Sequence, residues 1–525
     1  MQMAWTASLV IPWLNPLAGG PSSSVQPWLV SALCASVLLA LRGWRVPPFP
    51  LPLWIAFAAV ATAVRALPSL ESIAALGGLA MIAMTAGTVA HDRAVFVRAI
   101  AAAWLAAACV SAAIALIQYF GAGESLSPWV SHAVLGEAYG NLRQRNQLAS
   151  LLAIGSAALT WFVGRGLPWR WSLPLVSVLA AATAASASRT GAVQWVLLLA
   201  LAAVWRHPRR REAVAVGAFG IAMYALFSVA LPALLSHGWG ITGPSVFARF
   251  VGDAGCGSRR VLWGNVLYLI AQRPWTGWGW GELDWAHYMT LYPGERFCDI
   301  LDNAHSLPLH LAVELGIPVA VLACAGMVWA LVRIAPWRET DPARQLALAT
   351  LAVILVHSLV EYPLWYGPFQ IAFGLSLGLL WPSSRVPAIA SRGSTGAMIA
   401  AALALGAVSY AAWDYRRVSQ IYMAPETRDE AYRDDPLPRL RHSRIFRVHV
   451  QFAELTTTPL TRANAQWTYD TALEMLHYSP EPRVIEKTIE SATMLGHMDV
   501  ALAQLQRYEA AFPKEHAQWA KERAR

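Results

Sequence analysis

His305 stands in the stretch DNAHSLPLHLAVELGIP (302–318), where a polar, loop-like segment meets a long apolar run. An imidazole titrates close to neutral pH, and an ionisable group at a membrane boundary is costly unless it is used or paired. A second set of residues brings fixed charge. Arg143, Arg145, Arg189, Arg249, Arg259, Arg260, Arg273 and Arg296 all fall between apolar runs. Guanidinium groups make forked, charge-assisted bonds to phosphate oxygens, so a lipid-linked diphosphate is one partner they fit. The competing reading is ion pairing with Glu124, Glu137, Asp253, Glu282 or Asp299. Glu314 and Glu361 are further carboxylates able to pair with arginines across a helix bundle, and His357 reads as a packed helix residue. Cys256 and Cys298 share the one long polar loop, 42 residues apart. An oxidising compartment permits a bridge between them, and two unpaired loop thiols are the alternative. There is no CxxC and no His/Cys/Asp cluster with metal-ligand spacing. The GWGWG at 277–281 lacks the lysine ending of a phosphate loop.

These residues need a scaffold, and composition says which kind. The chain has 525 residues, 56% of them hydrophobic and 14% charged, against about a quarter charged in soluble domains. Apolar runs of spanning length are expected at about 2–18, 27–41, 51–68, 72–90, 95–120, 147–164, 171–187, 190–205, 212–234, 306–332, 343–360, 366–381 and 396–413. The N-terminus lacks a basic leader and a cleavage site, so no cleavable signal peptide is expected. Arginine sets the orientation: Arg42 and Arg45, Arg93 and Arg98, Arg165 and Arg170, the group Arg206, Arg209, Arg210 and Arg211, the group Arg333, Arg338 and Arg344, and Arg385 and Arg392 alternate onto one side, the expected cytoplasm. The segments 121–145, 236–305 and 361–366 and the turn at 188–190 then face outward. The expected organisation is a transmembrane unit, 1–413, with a large outer loop at about 236–305, and an outer helical C-terminal unit, 414–525. All three lysines, Lys487, Lys514 and Lys521, are in that tail, which balances 16 basic against 16 acidic residues. The formal charge of +9 therefore belongs to the membrane part and is no nucleic-acid signal. Helical spacing in the tail gives a loose likeness to tetratricopeptide hairpins.

Five segments occur in one order: YGNLRQRNQLAS (139–150), SRTG (188–191), SRRVLW with RPWTGWGWGEL, DNAHSLPLHLAVELGIP, and HSLVEYPLWYGPF (357–369). In that order the chain resembles the O-antigen ligase/polymerase superfamily, in detail its PglL-type branch of bacterial O-linked protein oligosaccharyltransferases. PWLNPLAGGPSSSVQPWLVS (12–31) and the C-terminal extension resemble the same branch. The resemblance implies an all-α polytopic membrane protein of about 12–13 transmembrane helices, a GT-C type glycosyltransferase with a large outer loop and a small helical C-terminal soluble domain. It implies a bacterial inner-membrane enzyme, metal-independent and without cofactor. Its donor is undecaprenyl-diphosphate-linked glycan, and its acceptor is a pilin or other periplasmic protein, approached at the periplasmic face among membrane lipids. Residue by residue, the family's histidine falls on His305, as the base that takes a hydroxyl proton. The family's arginine before the loop tryptophan falls on Arg259, or on Arg260 if the register shifts. Arg143, Arg145 and Arg189, read from their place on the outward side, are expected to join them on the diphosphate. Gln144, Asn146, Tyr362 and Tyr366 fall to positioning of substrate. Arg145 stands between Gln144 and Asn146, which departs from the common motif. Ligation of O-antigen to lipid A-core or polymerisation of repeats is the alternative within the superfamily. A lipid-linked-sugar transporter would show paired broken helices or internal repeat symmetry, and the sequence has neither; a binding module using the outer tail as receptor is the fourth reading.

Overall fold

The computed structural model describes residues 2–44, 69–90, 93–241, 255–380 and 395–523. The expected run 51–68, and with it Arg45, Arg249, Asp253, Arg385 and Arg392, lies outside the described residues. Among those described there is no strand; the elements are α-helices with short 3₁₀ turns. Seven helices are long and apolar enough to cross a membrane: Val25–Arg42, Leu70–Gly87, Arg93–Tyr119, Arg145–Val163, Arg210–Trp239, Ile317–Arg338 and Thr395–Tyr422. Met3–Leu14, Arg189–Val204, Pro342–Ser358 and Gly367–Leu380 are shorter apolar helices. The chain is thus an all-α, multi-pass membrane protein.

The bundle closes around one large apolar core that includes Trp13, Phe96, Trp104, Leu148, Ile154, Leu179, Ile354 and Phe369, all nearly inaccessible. With no hydrophobic drive between helices in lipid, close backbone approach is what binds them, and small residues provide it. A Cβ added at Gly374 would lie 2.5 Å from the Ile82 carbonyl oxygen, and one at Gly378 would lie 2.4 Å from that of Ala86. Gly367–Leu380 therefore seats directly on Leu70–Gly87.

The polar segment before His305 is itself folded. Arg259–Gln272, Leu283–Met289 and Leu307–Leu315 bury a second core of Leu262, Val266, Leu269, Leu283, Leu301 and Val313. Here one sequence expectation fails: the run 306–332 is not a single helix. It breaks at Gly316, which has φ +89°, into Leu307–Leu315 and Ile317–Ile334. The cause is the strap 274–279. Trp278 and Gly279 donate their backbone N–H to the carbonyls of Val313 and Glu314 (2.9 Å each), and Ile317 N–H donates to the Pro274 carbonyl (2.8 Å). Helix-end carbonyls that would otherwise go unsatisfied are met by the strap. A Cβ at Gly316 would sit 2.2 Å from the Trp275 carbonyl oxygen, and one at Gly277 would sit 2.3 Å from the Glu314 carbonyl carbon. The GWGWG stretch thus supplies backbone contact, and its glycines let that contact form.

After Thr395–Ser419 the chain continues in shorter helices. Ala465–Met475, Pro482–Leu495 and Met498–Ala511 pack side by side over Leu455, Met475, Val484, Ile485 and Tyr508. Tyr288 of the Leu283–Met289 helix is part of that core, its hydroxyl donating to Gln504 Oε1 at 2.7 Å. Trp285 stacks on His477 (4.5 Å), and His477 Nδ1 lies 2.7 Å from Glu282. The tail helices therefore lean on the same small helix that underlies the His305 loop.

Candidate functional site

Each site residue is delivered by a local device. Asn303 Oδ1 accepts from the His305 N–H at 2.9 Å, and His305 takes φ +48° just before Ser306 opens the Leu307–Leu315 helix. A bulky residue in the left-handed region is uncommon, and such strain clusters at functional sites. Ser258 caps the Arg259–Gln272 helix, placing Arg259 in its first turn. Trp263 lies one turn on and on the same face, and its indole N–H donates to the Ala304 carbonyl at 3.1 Å. One helix thus carries the arginine and holds the histidine loop. Glu361 follows the Pro342–Ser358 helix, its N–H on the His357 carbonyl (2.9 Å).

Glu361 is where these elements meet. Its Oε2 accepts from His305 Nδ1 at 2.8 Å. Its Oε1 accepts from the Arg259 guanidinium at 2.5 Å and from Asn146 Nδ2 at 3.2 Å. Asn146 Oδ1 in turn accepts from Ser188 Oγ at 2.6 Å, and Ser188 caps the Arg189–Val204 helix. A carboxylate facing Nδ1 fixes a hydrogen there, so in the neutral form of the ring the lone pair is on Nε2. Burial pushes the Glu361 carboxyl up, but the His305 hydrogen bond, then the charges of His305, Arg259 and His357, outweigh it and hold the group below its ordinary value. Its contribution to stability is therefore complete at neutral pH and is lost only as pH falls through that depressed value. Tyr362 meets the His305 ring edge-on (5.1 Å) and stacks on Tyr366 (5.8 Å). Burial first, then neighbouring Tyr366 and Asp302, pushes the Tyr362 phenol up, so it remains a donor at neutral pH.

The structure therefore brings His305, Arg259, Asn146, Tyr362 and Tyr366 together. Arg145, Arg189 and Arg260 are each the chain neighbour of a network member: Asn146, Ser188 and Arg259. Arg145 pairs with Glu137 and bonds the Tyr139 hydroxyl (3.1 Å), the ion-pair reading weighed from sequence. Arg143, left-handed at φ 58°, donates to the Pro16 carbonyl and ties in the N-terminal segment. Gln144 Oε1 caps the Arg145–Val163 helix by accepting from Gln147 N–H at 2.6 Å. Arg260 is exposed and has no carboxylate partner among the described residues. The residue that sequence reasoning underrated is Glu361. It was legible as a partner for an arginine, but its bond to a histidine 56 positions away was not.

Cys256 and Cys298 form a disulfide with Cα atoms 5.3 Å apart, just outside Arg259 on one side and close before His305 on the other. Between them Asn265 bonds Phe297 N–H and the Glu295 carbonyl, while Arg296 donates to the carbonyls of Thr290 and His287. Burial, aided by Arg296, pushes the His287 imidazole down to about 3, so it stays neutral between Tyr292 and Phe297. In the loop-entropy picture, closing this 42-residue loop removes about 4 kcal/mol of unfolded-chain freedom. Alkylation of native membranes without reductant is expected to leave both thiols unmodified. Mass shifts at both would mean that loop packing alone sets the geometry.

Fold and site define a multi-pass helical membrane protein with an imidazole–carboxylate–guanidinium centre at the end of its bundle. Comparison with known proteins is consistent across the chain. Residues 138–162 match a family described as protein glycosylation ligase, 174–324 match O-antigen ligase, and 345–525 match the C-terminal part of a virulence factor membrane-bound polymerase. A general O-oligosaccharyltransferase of Acinetobacter baylyi is 26% identical over 288 residues, covering 52% of this chain and 49% of that protein. The match thus spans about half the length of the curated relative. These matches support an O-antigen ligase/PglL-type family for the chain.

Proposed function

We propose that the protein transfers an oligosaccharide from undecaprenyl-diphosphate to a serine or threonine hydroxyl of a pilin or other periplasmic protein. The observation that carries this reading is the Glu361 junction, which engages His305 through Nδ1, so that Nε2 is the nitrogen left for a proton, and holds the Arg259 guanidinium on the same carboxylate. In the reaction, the acceptor oxygen bonds to the anomeric carbon of the glycan. The bond from that carbon to the diphosphate oxygen breaks, and its electron pair leaves with the diphosphate. His305 Nε2 takes the hydroxyl proton. Arg259 and Arg260, with Arg145 and Arg189, the chain neighbours of Asn146 and Ser188, screen the charge on the departing diphosphate by preorganised electrostatics. Tyr362, Tyr366, Asn146 and Gln144 orient sugar and phosphate. The proposed setting is a bacterial inner membrane, with the site and the 414–525 unit on the periplasmic side, as the arginine distribution supports.

The test is co-expression with a lipid-linked glycan pathway and a pilin, read by intact mass of the pilin. The expected result is an added glycan mass on a hydroxyl residue. The matched families described as ligase and polymerase favour one second reading, transfer to lipid A-core or to another glycan repeat. It predicts unmodified pilin and laddered or core-linked glycan in the same cells. Because arginines supply the positive charge in this reading, transfer by purified protein is expected to survive EDTA. Loss in EDTA with recovery in Mg²⁺ or Mn²⁺ would overturn the metal-free assignment.

A further inference from the structure

The tail contains a nine-residue stretch, RLRHSRIFR (439–447), with five basic-type side chains and no acid, inside a segment that is charge-balanced as a whole. Its position relative to the membrane follows from the Thr395–Ser419 helix. Met398, Ile399 and Leu403 of that helix are exposed apolar residues, as a lipid-facing helix requires. Toward its end Tyr410 and Trp413 are exposed and lie ring to ring (5.7 Å), with the Arg417 guanidinium over Trp413 (4.4 Å). Exposed Tyr and Trp next to arginine mark the headgroup level of a spanning helix. The next residue, Asp414, is fully buried and pins the basic stretch there. Its Oδ2 accepts from Ser443 Oγ (2.8 Å) and from Ile445 N–H (3.2 Å).

At this level Arg441, His442, Ser443, Arg444 and Arg447 line an open cavity of about 560 Å³. Glu454 neutralises Arg441 (2.8 Å), but among the described residues Arg444 and Arg447 have no carboxylate partner. Arg447 also begins the Arg447–Thr457 helix, whose N-cap is Phe446, a residue with no side-chain cap to offer. Two unneutralised guanidinium groups therefore line one concavity at the start of that helix. An ordinary solvated charge run would not be pinned by a buried aspartate one residue past an aromatic belt.

We infer that this cavity binds the phosphodiester headgroup of an anionic phospholipid from the surrounding leaflet, a site separate from the His305 centre and independent of the transfer reaction. Arginine forks and helix N-termini both recognise phosphate oxygens. Bound there, a lipid seats the tail on the membrane surface.

The test uses the full chain in nanodiscs with photoactivatable phosphatidylglycerol and phosphatidylcholine, and maps the labelled peptides by mass spectrometry. Residues 439–447 are expected to label with phosphatidylglycerol in preference to phosphatidylcholine. That preference is expected to fall about fivefold for each of Arg444→Gln and Arg447→Gln, the effect of removing one cation from a membrane surface. Unlabelled phosphatidylglycerol should compete, and millimolar inorganic phosphate should not. Equal labelling by phosphatidylcholine, unchanged labelling in the Gln variants, or full competition by phosphate would each overturn the lipid assignment. The paired substitutions Arg444→Lys and Arg447→Lys keep the charge but not the fork, and are expected to keep part of the preference that the Gln variants lose, which separates loss of charge from loss of fold.

Discussion

Replacing His305 by alanine is expected to lower glycan transfer by about 10²–10⁴-fold, the worth of a positioned general base. Membrane insertion and donor binding should be largely unchanged, because the fold around His305 rests on other contacts: Trp263 on Ala304, Asn303 on the His305 N–H, and the disulfide. The backbone demands a control. His305 sits at φ +48°, where alanine is strained and asparagine is better tolerated. His305→Asn therefore keeps the left-handed turn but supplies no base, and it is expected to be as inactive as the alanine variant while matching the wild-type melting midpoint. Transfer by the asparagine variant at more than a few per cent of wild type would remove His305 from the base role. Intact-mass analysis of the acceptor reads both outcomes.

How far such a site is legible in sequence depends on which force places each residue. Hydrophobic run length gave the helices, because burial in lipid acts on whole segments and leaves a compositional mark. The same logic misread 306–332. Mean apolarity continues across Gly316, but the helix does not, because backbone groups of 274–279 claim its last carbonyls. A signal was present in Gly316 followed by Pro318, a stop and a start two residues apart. Run length outweighed it. Positions defined by chain neighbours were legible too: His305 after a polar turn, Arg259 behind a serine cap, two cysteines at either end of one loop. Pairings across the bundle were not. Nothing local to Glu361 announces His305, Arg259 and Asn146, which reach it from 56, 102 and 215 residues away. Nor does local sequence say that Gln144 spends its oxygen on a helix cap or that Arg143 turns to Pro16.

That junction carries the second large expected effect, in Glu361→Gln. The substitution keeps size and shape but leaves one acceptor oxygen where two are in use. With the oxygen toward His305, the amide NH₂ would face the donors of Arg259 and Asn146, opposing a guanidinium with hydrogens. With the oxygen toward Arg259 and Asn146, the NH₂ faces His305 Nδ1. The second arrangement costs less, because it preserves the charge-assisted bond. It also forces the imidazole hydrogen onto Nε2, and the lone pair that should meet the acceptor hydroxyl is gone. Transfer is expected to fall by about 10²–10⁴-fold, comparable to loss of the base itself, as when the orienting carboxylate of a catalytic imidazole becomes an amide. Glu361 touches no reacting atom in this scheme, so it is a positioning residue, and a merely structural role has to be separated from it. Side-chain ¹⁵N NMR of His305 does so. Wild type should carry hydrogen on Nδ1, and the glutamine variant on Nε2, with donor affinity changed little and a melting midpoint lowered by loss of the ionised carboxylate. Glu361→Asp retains the carboxylate and should retain the wild-type tautomer with an intermediate rate. A glutamine variant that kept both the Nδ1 tautomer and wild-type transfer would show that Glu361 only anchors Arg259, and the orientation of His305 would then have to come from Asn303 and the strained turn alone.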